Sequence, residues 1–209
     1  MATGAVIRLA TVQVGADAST WAALGFTILD GRSALANGAL VFGSPQPGIG
    51  PLAVTGLDGD VSVDGVRFEP GEPMPADPHP NGACSIDHIV IMTDSLDRTS
   101  AAIDAGLGLE RRRLRETDTV RQAFHRFDDP VDAGSATGER GCILELVENP
   151  RMPHPEVWGL VVIVDDLDAL HETYPDLVAP PKPAVQPGRR IATARREADL
   201  GTAVAFMTP

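Results

Sequence analysis

The chain has 209 residues, of which 43% are hydrophobic, enough to bury the core of one domain or of two small ones. Its formal net charge of -12 at pH 7 argues against a nucleic-acid partner, because phosphate contacts need a concentrated basic surface. No run approaches the roughly 18 apolar residues of a membrane-spanning helix, so neither a membrane partner nor a signal peptide is expected. Cys84 and Cys142 lack a paired spacing, which favours a reducing cytoplasm.

The N-terminal third alternates short strand-like and turn-like pieces. Asp17 or Ser19 is a candidate cap for a short helix over residues 20–24, which Gly25 would end. We expect a degenerate module over residues 1–57. Residues 58–84 are rich in proline, which disrupts helices and strand ladders, and this composition predicts an extended linker with one extra strand within residues 61–68.

The clearest pattern is a repeat. The stretch IDHIVIMTDSLD at residues 86–97 corresponds to WGLVVIVDDLD at residues 158–168, with Asp94 and Asp165 lying 71 residues apart. Each copy is an apolar strand closed by an acidic helix start. Such a duplication predicts a ligand site where the two copies meet.

Both copies continue in the same order. The first predicted helix begins near Asp94 or Ser95, packs through Leu96, Ile103 and Leu107, and ends at Gly106. Three strands follow, ERRRLRET, RQAFHRFD and CILELVE, with the loop DDPVDAGSATGER before the last. The second predicted helix covers residues 166–174, and strands such as RRIATARRE and TAVAFMT follow it. We therefore expect paired modules in residues 85–209, at 85–149 and 157–209.

A strand, a helix and three strands, given twice, resemble the βαβββ module of the vicinal oxygen chelate superfamily, which includes glyoxalases, extradiol dioxygenases and bleomycin-resistance proteins. The resemblance is carried by DHIVIMTDSLD, ILELVE, VIVDDLDAL and PGRRIATARREADLGTAVAF. It implies an α+β fold in which repeated modules form an open, curved sheet of antiparallel type. The sheet makes a cup for the ligand, and the helices lie outside.

The resemblance also implies a site. His88 stands at the first-strand metal position and Glu145 at the last-strand position. In the second module, Gly159 or a neighbour holds the first-strand position and Ala205 the last-strand one, and neither can bind a metal. His125 would be a third ligand if its strand face lines the cup. The implied cofactor is a divalent metal such as iron, manganese, zinc or nickel. Without metal, the same His88 and Glu145 pair could act as a general base and its orienting partner.

Three functions remain open at this stage. The resemblance implies a metal-assisted lyase, isomerase or dioxygenase acting on a small organic molecule, with Glu145 and His88 as its catalytic residues. The alternative is a non-catalytic protein that sequesters a drug or metabolite, and the third is a scaffold that fills its own cup. An open sheet edge favours a homodimer. The sequence lacks GxGxxG, Walker and HExxH motifs, so no nucleotide cofactor is expected.

Several other residues have simpler interpretations. His79 and His154 lie beside prolines and are predicted in exposed loops, and His171 is predicted on a solvated helix face. Trp158 is predicted in the core. The arginines alternate along strands, so about half should face the cup or an interface. There they could bind a carboxylate or phosphate, although salt bridges with the chain's own carboxylates are the more ordinary role.

Overall fold

A computed structural model describes residues 5–130 and 140–209, and within those ranges fourteen strands lie in two sheets. Most of the predicted loop between RQAFHRFD and CILELVE lies outside the described residues. None of the described helices is long and apolar enough to cross a membrane.

The larger sheet has eight strands and contains the two predicted modules. The first module consists of β7 (Ala83–Thr93), α2 (Leu96–Leu107), β8 (Arg113–Glu116), β9 (Arg121–Arg126) and β10 (Ile143–Glu148), whose order along the chain matches the sequence prediction. The second consists of β11 (Glu156–Val164), α3 (Leu167–Thr173), β12 (Lys182–Pro183), β13 (Arg190–Thr193) and β14 (Ala203–Met207). A short 3-10 helix, Arg196–Ala198, precedes β14.

The topology confirms paired βαβββ modules. The strand order is β12-β13-β14-β11-β7-β10-β9-β8, with β7 and β11 antiparallel at the centre. In each module the first strand is parallel to the last, so the sheet is mixed rather than purely antiparallel. The two modules therefore meet edge to edge along β7 and β11.

The first large helix follows its predicted signals except at its end. Ser95 is the N-cap residue, and Leu96, Ile103 and Leu107 are buried, as predicted. The helix ends at Gly108, whose φ of 68° needs the left-handed conformation, rather than at Gly106. Gly106 lies inside the helix and faces β5 (Val61–Val63). A Cβ at this position would lie 3.0 Å from Val63 Cγ2, so the missing side chain makes room for β5.

The smaller sheet has six strands and extends past residue 57. In chain order the other elements of this region are β1 (Leu9–Val14), α1 (Ala18–Ala23), β2 (Arg32–Leu35), β3 (Gly38–Phe42), β4 (Ile49–Val54) and β6 (Val66–Pro70). The segment expected to be a linker with one extra strand thus contains the β5-β6 hairpin, because β6 pairs with β4. Only the residues after Pro70 form an extended connection.

The small sheet repeats the centre of the large one. Its order is β2-β3-β1-β4-β6-β5, with an antiparallel pair in the middle, a parallel neighbour on each side and an antiparallel strand beyond. This is the pattern of the inner six strands of the large sheet. Residues 9–70 are therefore two shortened modules rather than one degenerate module.

The two sheets pack face to face across one apolar core, which includes residues of both sheets. Phe26 and Phe206 have ring centroids 6.3 Å apart, and the indole nitrogen of Trp21 donates to the Leu200 carbonyl at 3.3 Å. A Cβ on Gly38 would lie 3.6 Å from Ile86 Cδ1. The small sheet thus covers the helix-bearing side of the large sheet and leaves its other face open.

Two buried histidines help to fix this packing. His79 lies in a loop, as predicted, but it is only 9% exposed, because its ring bridges the backbone N–H of Thr27 and the carbonyl of Ala34. His125 is fully buried under α2, where Nδ1 lies 2.7 Å from the Leu109 carbonyl and Nε2 lies 3.0 Å from Ser100 Oγ. Burial lowers the pKa of both imidazoles.

We expect the contribution of His125 to the free energy of unfolding to fall as the pH drops below about 6.5, the ordinary pKa of histidine. His125 has a lowered pKa in the folded chain, so the unfolded chain takes up its proton first and is favoured on acidification. Urea unfolding between about pH 8 and pH 5 measures the loss. Imidazole NMR provides the check, and a native His125 that titrates at 6.5 or above would contradict this account.

Candidate functional site

The open face of the large sheet lines a cleft of about 1120 Å³, here called the cup. His88 and Glu145 lie on its floor. One wall comes from β8 and β9, and the opposite wall comes from residues 182–189 around β12. Val161, Ile163 and Met207 form an apolar cluster on the β11–β14 side. The first module therefore supplies His88 and Glu145 on the floor, whereas the second module supplies both apolar side chains and the charged residues Lys182 and Arg189.

A β-bulge places two neighbouring residues beside each other at this floor. Val161 pairs with His88 and Val162 with Ile86, so β7 has one extra residue, Asp87, between these pairs. Successive side chains on a regular strand point to opposite faces, and a bulge suspends that alternation. The Asp87 carboxylate consequently lies 2.6 Å from the ring Nδ1 of His88.

The Asp87 contact orients the His88 imidazole. Asp87 Oδ2 accepts from Nδ1, and Asp87 Oδ1 accepts from the Arg189 guanidinium at 2.8 Å. Burial acts to raise the pKa of Asp87, but the hydrogen bonds and charges of His88 and Arg189 outweigh it and lower that pKa. Asp87 is thus an anion that holds the Nδ1 proton and turns Nε2 toward Glu145.

Glu145 completes the floor from the adjacent strand. Its Oε2 lies 3.3 Å from His88 Nε2, and its Oε1 accepts from Gln122 Nε2 at 2.5 Å. Gln122 is fixed in turn by Arg115, which donates to the Gln122 amide oxygen at 2.7 Å. Glu145 is only 9% exposed, and burial raises its pKa despite the opposing charge of His88. A carboxyl group of this kind can hold and release a proton nearer to neutral pH than an exposed one.

The structure brings His88 and Glu145 together and does not bring His125 to them. His125 shares its strand face with Ala123, as alternation predicts, but that face packs against α2. Gln122, Phe124 and Arg126 are partly exposed on the cup face of the same strand, whereas His125 borders the cleft but its side chain is fully buried. Both His125 ring nitrogens already have partners, so the geometry gives no support to His125 as a metal ligand.

The donors at the floor do not fit the implied divalent metal. Val90 pairs with Glu145 as Val161 pairs with Ala205, so Gly159 and Ala205 are the second-module equivalents of His88 and Glu145. Neither has a ligating side chain. Across the described residues, no three His, Cys, Asp or Glu side chains are grouped to hold a metal. His88 Nε2 and Glu145 Oε2 alone fall short of the three or four protein ligands that such sites use.

The remaining predicted residues have varied positions. His154 is exposed, as predicted. His171 is partly buried, and its Nδ1 lies 3.0 Å from the Val178 carbonyl. Trp158 is 49% exposed rather than in the core, because it is the extra residue of a second bulge, between Val157 and Gly159. Some arginines do line the cup, whereas Arg121 lies outside it, in ion pairs with Asp97, Glu116 and Glu148.

Four residues at the floor were not predicted from the sequence. Strict alternation directed Asp87 to the face opposite His88, and only the bulge reverses that assignment. Gln122, Arg115 and Arg189 reach the floor through strand pairing and through the turn before β13, which no local signal specifies. The acidic residue immediately before His88 was the one available hint.

Comparisons with known proteins give fold likenesses only. No protein-family model matches the chain, and no curated protein matches it either. Among solved structures, it is similar to a methylmalonyl-CoA epimerase variant from Streptomyces coelicolor bound to 2-nitronate-propionyl-CoA, with 24% identity, a TM-score of 0.47, and coverage of 59% of this chain and 95% of that one. The Mycobacterium tuberculosis methylmalonyl-CoA epimerase has 18% identity and a TM-score of 0.48, with coverage of 65% and 93%. A hypothetical protein from Bacillus halodurans has 15% identity and a TM-score of 0.44, with coverage of 60% and 94%.

The strand order itself identifies the fold. Each module places its first strand parallel to its last, and two modules join through antiparallel first strands around a cup. Residues 83–207 therefore have the fold of two paired βαβββ modules that the sequence resemblance implied.

Proposed function

We propose that the cup binds a small organic molecule and transfers a proton on it, with Glu145 as the proton acceptor and His88 as its partner. The observation that carries this proposal is the buried contact between Glu145 Oε2 and His88 Nε2 on the floor of a large cleft. The reaction class is an isomerisation or a lyase reaction that begins by removing a proton from a carbon beside a carbonyl group.

The proposed step balances without a change of oxidation state. The Glu145 carboxylate takes the proton, and the electron pair of the broken C–H bond forms a C–C double bond as the carbonyl oxygen becomes an enolate. Return of the proton to another face or atom gives an isomer, whereas loss of a neighbouring leaving group gives elimination. Asp87 holds His88 in contact with Glu145, so that His88 stabilises Glu145 both as the carboxylate and after it has taken the proton.

The surrounding residues orient the Glu145 carboxylate toward His88 and exclude water from the pair. Gln122 donates to Oε1 of Glu145 and leaves Oε2 on the His88 side. Burial excludes water, which strengthens the electrostatic interactions within the site and makes the carboxylate a better base. The step relies only on side chains of this chain, because the two donors do not complete a metal site.

A non-catalytic binding protein is the alternative. Ile191 and Met207 give the second-module side of the cleft an apolar surface beside Lys182 and Arg189, which suits retention of a ligand as well as its turnover. The two functions differ in one respect: only the enzyme must exchange a substrate proton.

We expect solvent deuterium to enter the carbon beside the carbonyl in at least one of a panel of 2-oxo acids, 3-oxo acids and acyl thioesters. Glu145→Gln should slow this exchange by about 10²–10⁴-fold, because it removes the proton acceptor and keeps the size of the side chain. Proton NMR in heavy water measures the exchange. Glu172→Gln, on the exposed side of α3, is the matched control and should exchange at the wild-type rate.

Two results would contradict the proposed enzymatic function. If Glu145→Gln exchanged as fast as wild type, the proton acceptor would lie elsewhere. If no compound exchanged while one of them raised the melting temperature, the protein would be a binder, since ligands that bind the native state stabilise it.

Glu145→Gln should also stabilise the fold near neutral pH. The folded pKa of Glu145 is raised, so its stabilising contribution is complete below the ordinary value of 4.5 and is lost as the pH rises through the folded pKa. Glutamine does not titrate, so the free energy of unfolding of the variant should gain on wild type as the pH increases. Urea unfolding at several pH values measures the difference. A difference that stays constant or shrinks would refute the assigned shift, and the exposed Glu172→Gln change should have little effect at any pH.

A further inference from the structure

The cup is basic although the chain as a whole is acidic. Of the described residues that line it, six are Lys or Arg and three are Asp or Glu, in a chain with a net charge of -12. The basic residues are Arg112, Arg113, Arg115, Arg126, Lys182 and Arg189. The acidic ones are Asp128, Asp129 and Glu145. Lys182 is also the one lysine of the chain. This reversal of sign concentrates positive potential where a ligand would enter.

Only some of these basic side chains interact with acidic or polar side chains of the protein. Arg189 binds Asp87, and Arg115 donates to Gln122. Within residues 5–130 and 140–209, Arg113, Arg126 and Lys182 form no ion pair.

Two nearby carboxylates are engaged by the backbone instead. Asp128 accepts from the backbone N–H of Ile7 at 2.7 Å, and Asp129 accepts from that of Gly141 at 2.9 Å. Among residues 5–130 and 140–209, neither of these carboxylates forms an ion pair with Arg113 or Arg126.

Strand register fixes where Arg113 and Arg126 stand relative to the floor. Arg113 pairs with Phe124, which pairs with Glu145, and Arg126 pairs with Ile143, which pairs with His88. Each arginine is thus two strands away from one member of the acid–base pair, on the same sheet face. Strands lie about 4.8 Å apart, so the separation is about 10 Å.

An apolar surface lies between the two arginines and the His88–Glu145 pair. Phe124 and Ile143 line the cup between the arginines and the acid–base pair. The Arg113 guanidinium carbon lies 6.0 Å from the centre of the Phe124 ring, which steadies the side chain without neutralising it. A ligand that spans this distance meets a base at one end, an apolar surface in the middle and two guanidinium groups at the other.

We propose that Arg126 and Arg113 form an oxyanion subsite that binds the carboxylate or phosphate head of the ligand, with the reacting carbon over Glu145. Planar guanidinium groups match both kinds of oxyanion through paired hydrogen bonds. The subsite rests on the proposed function for the location of the reacting carbon, but anion binding itself needs no catalysis. Arg113 lies two strands from Glu145, and Arg126 lies one strand away and two residues along, so the substrate class is a small organic anion with a charged head and an acidic C–H about 8–10 Å apart.

The test uses the whole chain and two simple probes, inorganic phosphate and succinate, against sodium chloride at equal ionic strength. We expect at least one probe to raise the melting temperature of wild type, because it binds the native state. Arg126→Gln should weaken the apparent affinity by about tenfold or more, and Arg113→Gln should weaken it to a smaller extent. The matched control Arg67→Gln, an exposed change on β6, should respond like wild type.

Each outcome has a defined meaning. A response to phosphate alone indicates a phosphorylated ligand, a response to succinate alone indicates a carboxylate, and either supports the subsite. If neither probe raises the melting temperature, or if Arg126→Gln responds like wild type, the proposed subsite is overturned. Glu145→Gln should keep the oxyanion response, so a failure of the proposed proton transfer would leave this result intact.

Discussion

The candidate site depends on one extra residue in β7. The bulge at Asp87 places its carboxylate against the neighbouring imidazole of His88, a contact that regular alternation forbids. From this contact follow the orientation of His88, its approach to Glu145 and the tie to Arg189 in the second module. A flat, regular strand would separate these groups and leave a buried glutamate without an oriented partner.

The second module has the same bulge without the chemistry. Trp158 and Gly159 occupy the places of Asp87 and His88, and Ala205 occupies that of Glu145. The duplicated backbone geometry thus persists although the side chains differ. The first module supplies His88 and Glu145, while the equivalent positions of the second module have no ligating side chain, and this asymmetry explains why the donors fall short of a metal site.

The modules could be predicted because their signals are local: an apolar strand and a capped helix each reveal themselves within a dozen residues. His88 and Glu145 followed from the resemblance, since corresponding strands converge in that fold. Asp87 could not be predicted, because a bulge is set by the register between strands distant in sequence. For His125, alternation gave the residues that share its face, but only the packing of Ser100 on α2 shows that this face is the buried one.

The proposed proton transfer requires that the buried carboxyl group of Glu145 can exchange a proton with its surroundings. The most direct measurement is a pH titration of its side-chain carboxyl carbon by NMR, assigned by comparison with Glu145→Gln. We expect a midpoint above the ordinary value of 4.5, because burial outweighs the opposing charge of His88. A midpoint at or below 4.5 would contradict this expectation, since Glu145 would then behave as an ordinary ion-paired carboxylate.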